Sequence, residues 1–398
     1  MLIKPMVRNN IFLNAHPEGC ARETERQIAY VEARRADYAR LAGPRAVLVV
    51  GCSTGYGLAT RAAAAFGFRV PTVGLSFERA PTATKTGSPG WYANRAFDAA
   101  AARSGLASRT IDADAYSQGA KQAAIAAAAE LGLRFDLVVY SLASPVRPDP
   151  ATGELHRSVI KPIGKSYRGA TVDVFSGALS EAEIQGATEA EAEATVKVMG
   201  GEDWELWIEA LRAAGALAEG ALTVAYSYVG PSLSWPIYRD GTIGRAKAHL
   251  EATAARLSAS APDGLRAYVS INKALVTRSS AVIPIIPLYV STLFKVMKER
   301  GVHEDCVAQM DRLMRARLYA GGPPALDAEG RIRLDELEMD AKVQSEVEAR
   351  MSRIGPYNLA QLADVEGFRG DFLRVHGFEV PGVDYAAEIP PDWDPAGA

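Results

Sequence analysis

The stretch Ala46-Val47-Leu48-Val49-Val50-Gly51-Cys52-Ser53-Thr54-Gly55-Tyr56-Gly57 decides the fold. It passes from a β-branched apolar run, through a glycine-rich turn, into an Ala-rich segment of helical character at 58–66. A strand apolar on both faces belongs in a parallel sheet covered by helices on both sides. The same alternation repeats outward: strand at 70–75, helix at 94–104, strand at 109–111, helix at 121–131 stopped by Gly132, strand at 135–141. This order predicts an α/β fold, a doubly wound Rossmann-type parallel sheet.

Between Pro145 and about Gly220 the order breaks. Lys161-Pro162-Ile163-Gly164 and residues 171–175 read as hairpin pieces, and 188–198 and 203–213 read as helices, so an insertion is expected at about 145–220. Alternation resumes with a strand at 222–228, a helix at 243–257, a strand at 267–271 and a helix at 285–298. From about residue 330 a charged helix and a Gly/Pro-punctuated tail suggest a cap. Without a fixed repeat or a low-complexity linker, residues 1–398 are expected to form one domain.

Of the 398 residues, 48% are hydrophobic and 23% charged, and the net charge is −3, which excludes a disordered chain and gives no footprint for nucleic acid or an anionic membrane. The expected partner is a small molecule. Cys20, Cys52 and Cys306 stand far apart without CxxC spacing, so a disulfide framework is unsupported and a reducing cytoplasm fits. The N-terminus has no signal-peptide pattern. The most apolar later segment, 281–290, is about half the ~20 residues a membrane span needs and carries Pro284 and Pro287.

After the first strand, the glycines of the 51–57 loop let backbone N–H groups approach a pyrophosphate at a helix N-terminus, although the spacing departs from G-x-G-x-x-G and a plain tight turn reads equally well. Glu78 closes the second strand where a carboxylate accepts from adenosine ribose hydroxyls and repels a 2′-phosphate, which favours NADH over NADPH. Arg79 beside it argues the other way, and a solvated strand end is the plain alternative for Glu78. Asp114 after the third strand and Leu142-Ala143 after the fourth stand where ligands meet the carboxyl ends of strands. Gly57-Leu58 replaces the Lys-Ser/Thr of a kinase-type phosphate loop, and neither H-E-x-x-H nor G-x-S-x-G occurs. The five histidines are scattered, and His303-Glu304-Asp305-Cys306 reads as a polar loop, so no metal site is expected.

The richest polar constellation follows the fifth strand: Tyr226-Ser227-Tyr228, then Tyr238 and Lys247. A phenol can donate to a developing oxyanion, and a nearby ammonium lowers its pKa towards the working range. Nine steps at about 100° each put Tyr238 and Lys247 on opposite faces of one helix, so they cooperate only if the chain turns between them. Asp240-Gly241 supplies a turn and Thr242 a candidate N-cap. For Lys247 the alternative is a solvated helix lysine, and for Tyr228 a strand-end aromatic packed on the core.

The 51–57 loop, Phe77-Glu78, the Tyr238-x8-Lys247 spacing and Ala15-His16-Pro17-Glu18-Gly19-Cys20 closely resemble the FabV-type trans-2-enoyl thioester reductases. The resemblance runs over nearly the whole chain, through Lys161-Pro162-Ile163-Gly164, Gly201-Glu202-Asp203-Trp204 and Lys273-Ala274-Leu275-Val276-Thr277, while Asn10-Ile11-Phe12-Leu13 departs from the usual opening. It implies an enlarged member of the short-chain dehydrogenase/reductase superfamily, monomeric, that reduces the C2=C3 bond of enoyl-CoA or enoyl-acyl carrier protein with NADH in fatty acid synthesis. Carried over, Tyr238 is the proton donor, Tyr228 contacts substrate and Lys247 holds the cofactor. Gly51, Cys52, Ser53, Thr54, Gly55, Tyr56, Phe77, Glu78, Asp114, Ala115, Leu142, Ala143, Leu275, Val276 and Thr277 line NADH, the last three on the resemblance alone. Two rivals are a ketoreductase of the same superfamily, whose Tyr-x3-Lys spacing fails because Thr242 stands at the lysine position, and a non-catalytic NADH-binding sensor.

Overall fold

The computed structural model describes residues 1–8, 11–278, 283 and 285–395. Among the described residues seven strands form a sheet in which every pairing is parallel: β1 Val47–Val50, β2 Thr72–Ser76, β3 Ser108–Asp112, β4 Phe135–Tyr140, β5 Leu217–Ser227, β6 Arg266–Ile271 and β7 Ile332–Arg333. The spatial order is β7-β6-β5-β4-β1-β2-β3. Chain direction along the sheet therefore reverses between β1 and β4, the crevice where ligands of doubly wound sheets bind.

Alternation along β1 builds both halves of the core. Val47 and Val49 pack with Leu58, Phe97 and Met310, from the Gly55–Ala62, Pro89–Arg103 and Cys306–Leu313 helices. Leu48 and Val50 pack on the other face with Ala124, Trp207 and Leu250, from the Gln118–Glu130, Glu202–Ala213 and Thr242–Ala259 helices. All four β1 side chains are fully buried, which explains why the strand carries no polar residue.

The stretch expected as an insertion, about 145–220, runs from the end of β4 into β5. Between β4 and β5 lie a short antiparallel pair, Val146–Pro148 with Leu155–Arg157, then the hairpin Tyr167–Val172 and Leu179–Ile184, then the helices Glu189–Met199 and Glu202–Ala213. Residues 161–164 are not a hairpin strand; only Ile163 makes an isolated bridge, to Ala187. Within the segment expected as a cap from about residue 330, Ile332 and Arg333 are the edge strand of the main sheet. The helix expected at 58–66 stops at Ala62 and continues as a π-helical turn, Ala63–Phe68. The Pro17–Glu32 helix, N-capped by His16 with Gly19 N–H donating to Nδ1 at 3.1 Å, was not legible in the sequence pattern.

A third cluster sits at the carboxyl end of the sheet. The Ile286–Glu299 helix packs Leu293 and Phe294 against Val343 and Phe368 of the C-terminal segment, and Val172 and Ile184 of the inserted hairpin join the same cluster. Insertion and cap thus meet over the crevice.

One buried cation organises the β2–β3 edge. Arg61 is fully buried, and its guanidinium donates to Thr110 Oγ1 at 2.8 Å, Ser108 Oγ at 2.8 Å and the Arg109 carbonyl at 3.1 Å, with Asp98 at 3.2 Å. A Cβ at Gly74 of β2 would stand 2.7 Å from that guanidinium and 2.7 Å from Cys52 Sγ.

Candidate active site

Gly51 leaves β1 with φ +90°, and a Cβ there would stand 2.1 Å from the Ser141 carbonyl. At Gly57 a Cβ would stand 1.8 Å from the Gly51 carbonyl. Both glycines are required by backbone folded back on itself at the β1–β4 crevice. Thr54 stands at the N-cap of the Gly55–Ala62 helix without a side-chain cap bond, so the first-turn N–H groups remain for an anion. Cys52 is different: its thiol is fully buried towards Arg61 and Asn94, so only its backbone faces the loop.

Glu78 is no solvated strand end. Its side chain is 6% exposed, accepts from Ser53 Oγ at 2.6 Å, and pairs with Arg278 at 3.0 Å. Its own N–H donates to Asp112 Oδ1 at 2.9 Å, which joins the ends of β2 and β3. The arginine on the Glu78 carboxylate is therefore Arg278, from the segment after β6, and not the neighbouring Arg79. Phe77 is 76% exposed. Asp114 spends one oxygen on the Tyr116 N–H at 3.0 Å, and the Ala115 carbonyl accepts from Lys121 Nζ and Trp207 Nε1, so this pair is held by its own turn beyond β3.

The separation demanded of Tyr238 and Lys247 is observed. Tyr238 ends the short Trp235–Tyr238 helix, and Lys247 lies in the second turn of Thr242–Ala259. The N-cap is Gly241 rather than Thr242, because the Thr242 hydroxyl is engaged elsewhere, donating to the Val159 carbonyl at 2.5 Å and accepting from Lys161 N–H at 3.2 Å. Lys247 Nζ donates to the Tyr226 carbonyl at 3.2 Å, and burial lowers its pKa to about 8. The expected lowering of the Tyr238 pKa is not found: burial, with the Glu338 charge behind it, drives the phenol above its ordinary value.

Tyr228 and Tyr238 meet edge to face, ring centroids 4.8 Å apart at 88°. Their hydroxyls differ. Tyr228 donates to Glu338 Oε1 at 2.9 Å, whereas the Tyr238 hydroxyl has no hydrogen-bond partner among the described residues. Glu338 also takes Tyr289 OH at 2.6 Å and the Ala274 N–H at 2.6 Å, and Lys273, its pKa lowered by burial to about 8, donates to the Ala274 carbonyl at 2.9 Å. No sequence signal pointed to Glu338, which sits in an acidic stretch, 335–340, that reads as solvated.

A cavity of about 230 Å³ gathers Tyr56, Leu142, Ala143, Tyr228, Tyr238, Lys247, Leu275 and Thr277. Ile283 and Ile286 wall it too; Pro284 lies outside the described residues. Leu275 divides this cavity from a second of about 380 Å³, where Val276, Thr54 and Gly55 stand. Glu78 faces a third with Asp112. Tyr56 ties the loop to the end of β6, donating to the Lys273 carbonyl at 2.6 Å. Among the described residues no helix is long and apolar enough to cross a membrane.

Residues 85–319 match the family described as the trans-2-enoyl-CoA reductase catalytic region, and residues 2–83 match the NAD(P)H binding domain of trans-2-enoyl-CoA reductase. The chain is 54% identical over 392 residues to the trans-2-enoyl-CoA reductase [NADH] of Treponema denticola, covering 98% of each. It is 49% identical over 390 residues to the enoyl-[acyl-carrier-protein] reductase [NADH] of Flavobacterium johnsoniae, covering 98% of this chain and 97% of that one. The crystal structure of the Treponema denticola reductase in complex with NAD matches with a TM-score of 0.95 over 98% of each chain.

Residues 326–389 match a third family, described as an enoyl reductase FAD binding domain. The residues present do not fit a flavin dinucleotide. Arg331, Arg333, Arg350, Arg369 and Arg374 are each paired with carboxylates rather than turned towards a pyrophosphate, and Val343, Val347, Phe368 and Phe372 are consumed in the core.

Proposed function

This chain belongs to the trans-2-enoyl-CoA reductase family and is an NADH-dependent enoyl thioester reductase, and from that premise we propose which of its residues carry the reaction. Gly51 to Tyr56, Phe77, Glu78, Asp114, Ala115, Leu142, Ala143, Lys247 and Leu275 to Thr277 hold NADH. The bound cofactor supplies a hydride for C3 of the enoyl chain.

The chain's own task is to manage the charge that this addition pushes through C2 onto the thioester oxygen. Tyr238 donates its hydroxyl to that oxygen as the enolate forms, and protonation at C2 completes the saturated acyl thioester. A phenol held above its ordinary pKa stays protonated until the oxyanion develops beside it. Lys247 binds the cofactor from the neighbouring helix. Tyr228 walls the substrate, Ile283 and Ile286 line the acyl chain, and the acyl carrier is coenzyme A or acyl carrier protein. We further read residues 1–398 as one catalytic unit, monomeric and cytoplasmic.

The observation that carries this reading is the contrast between the two tyrosines: one hydroxyl is already committed to a buried carboxylate, and the other is uncommitted within the cavity. Crotonyl and acetoacetyl thioesters assayed side by side with NADH test it, with Tyr238→Phe in parallel. Turnover of the enoyl substrate alone, reduced roughly 100-fold in the variant, is expected. Reduction of the keto substrate, or near-normal turnover by Tyr238→Phe, overturns the assignment.

A further inference from the structure

Glu338 lies in the segment between β7 and the Ala341–Met351 helix, 110 residues beyond Tyr228, and is fully buried. Four elements of the site end on it. Tyr228 follows β5, Ala274 follows β6 and leads into the Leu275–Thr277 wall, Tyr289 belongs to the helix behind the acyl pocket, and Gln344 Nε2 donates to the Glu338 carbonyl at 2.7 Å. A buried carboxylate persists only where hydrogen bonds and an opposite charge replace its hydration. Burial pushes its pKa up, and against that two hydroxyls and an N–H converge on its oxygens and the Lys273 ammonium favours the charged form. Such an arrangement is expensive to build if it serves packing alone.

We propose that Glu338 is a positioning residue of the reductase, holding the Tyr228 hydroxyl proton so that Tyr228 presents only an acceptor to the pocket and its ring fixes Tyr238 as the single donor. This rests on the reading of Tyr238 as proton donor. The segment that matches a flavin-binding family therefore serves this chain by placing one carboxylate beneath the tyrosine pair, with no flavin step.

The geometry makes the role specific. An ionised carboxylate can only accept, so both tyrosine protons point at Oε1. Glu338→Gln keeps the volume but brings an NH₂ group to one side, so a hydroxyl proton must turn back towards the pocket or an NH₂ must go unpaired. It also removes the negative charge that, behind burial, adds to the raised Tyr238 pKa. The other titratable groups facing the pair are Lys273 and Tyr289 beside Glu338, and Lys247 and Tyr56 across the cavity.

In Glu338→Gln, kcat for crotonyl thioester is expected to fall about tenfold or more, while the NADH Kd stays within about twofold. The alkaline limb of the kcat–pH profile moves to lower pH. Glu338→Asp keeps the charge but withdraws it by one methylene, so it loses kcat and leaves the limb in place. Tyr228→Phe removes the tethered hydroxyl without touching the carboxylate; it lowers kcat comparably, and combining it with Glu338→Gln adds no further loss. Wild-type kcat with an unmoved limb in Glu338→Gln overturns the proposal. Where that variant does not fold, wild-type kcat in Tyr228→Phe does so. If Tyr238→Phe is inactive while Glu338→Gln is normal, the positioning role fails and the donor assignment stands; an active Tyr238→Phe sinks the donor assignment itself.

Discussion

NADH binding should weaken as pH rises through about 8, and Lys247 should be the cause. Its ammonium is half-buried, donates to the Tyr226 carbonyl at 3.2 Å, and titrates near 8 instead of 10.5 because burial disfavours the charge. A cofactor that accepts a hydrogen bond from the ammonium binds the charged form, so binding takes up a proton above pH 8 and the bound pKa returns towards its ordinary value. At pH 7 about nine-tenths of Lys247 is charged, and at pH 9 about one-tenth. The NADH Kd should therefore rise roughly tenfold between these values. Losing a charge-assisted hydrogen bond outright costs about 1.5–3 kcal/mol, so Lys247→Met should bind NADH about 10- to 150-fold more weakly at pH 7, with little pH dependence left. Arginine should restore only part of the affinity, because its fork reaches acceptors with different geometry, but it should keep binding flat to pH 9. Fluorescence titration of NADH across pH 6.5–9.5 measures all three proteins. Lys273 also titrates near 8, so a step that persists in Lys247→Met belongs to Lys273. A persistent step together with wild-type affinity at pH 7 refutes the role given to Lys247.

Three further outcomes follow from the geometry. Glu78→Ala removes the carboxylate proposed to hold the ribose and frees Arg278, so the preference for NADH over NADPH should narrow; an unchanged ratio of the two kcat/KM values would leave Glu78 a structural latch to Arg278 only. Asp203→Asn strands the Lys121 ammonium, which is 2.8 Å from Asp203 with both side chains nearly inaccessible, and should cost about 3–5 kcal/mol in denaturant unfolding; a loss under 1 kcal/mol would mean the site admits water. Gly57→Ala forces a Cβ against the Gly51 carbonyl and should abolish NADH binding or destabilise by at least about 2 kcal/mol, as checked by titration and thermal melting.

The sheet was legible because a parallel strand buried on both faces leaves an unmistakable apolar run, as at 47–50 and 137–139. Edge strands are weaker signals: Ile332–Arg333 is too short, and one of its two residues is charged. The glycine loop, Glu78 and the Tyr238–Lys247 separation were legible because each depends on local chain geometry. Arg278 and Glu338 were not, because their roles depend on which distant segments the fold lays over the crevice. Adjacency even misled: Arg79 follows Glu78 in the chain, yet the guanidinium on that carboxylate comes from 200 residues away. The acidity of Tyr238 was misjudged for the same reason, since burial by distant segments, with the Glu338 charge behind it, raises the phenol instead of the lysine nine positions on lowering it.

The guanidinium of Arg61 occupies the volume that a side chain at position 74 would need, and Cys52 Sγ closes the other side of it. Positions 52, 61 and 74 therefore behave as one unit in sequence space: none can be enlarged alone, and a shorter residue at 61 opens room for a β-branched one at 74 while stranding Ser108 and Thr110. β2, which the triplet packs, ends just before Glu78, the carboxylate that accepts from Ser53 of the glycine loop. Relatives or designs that differ at 61 should carry a compensating change at 74.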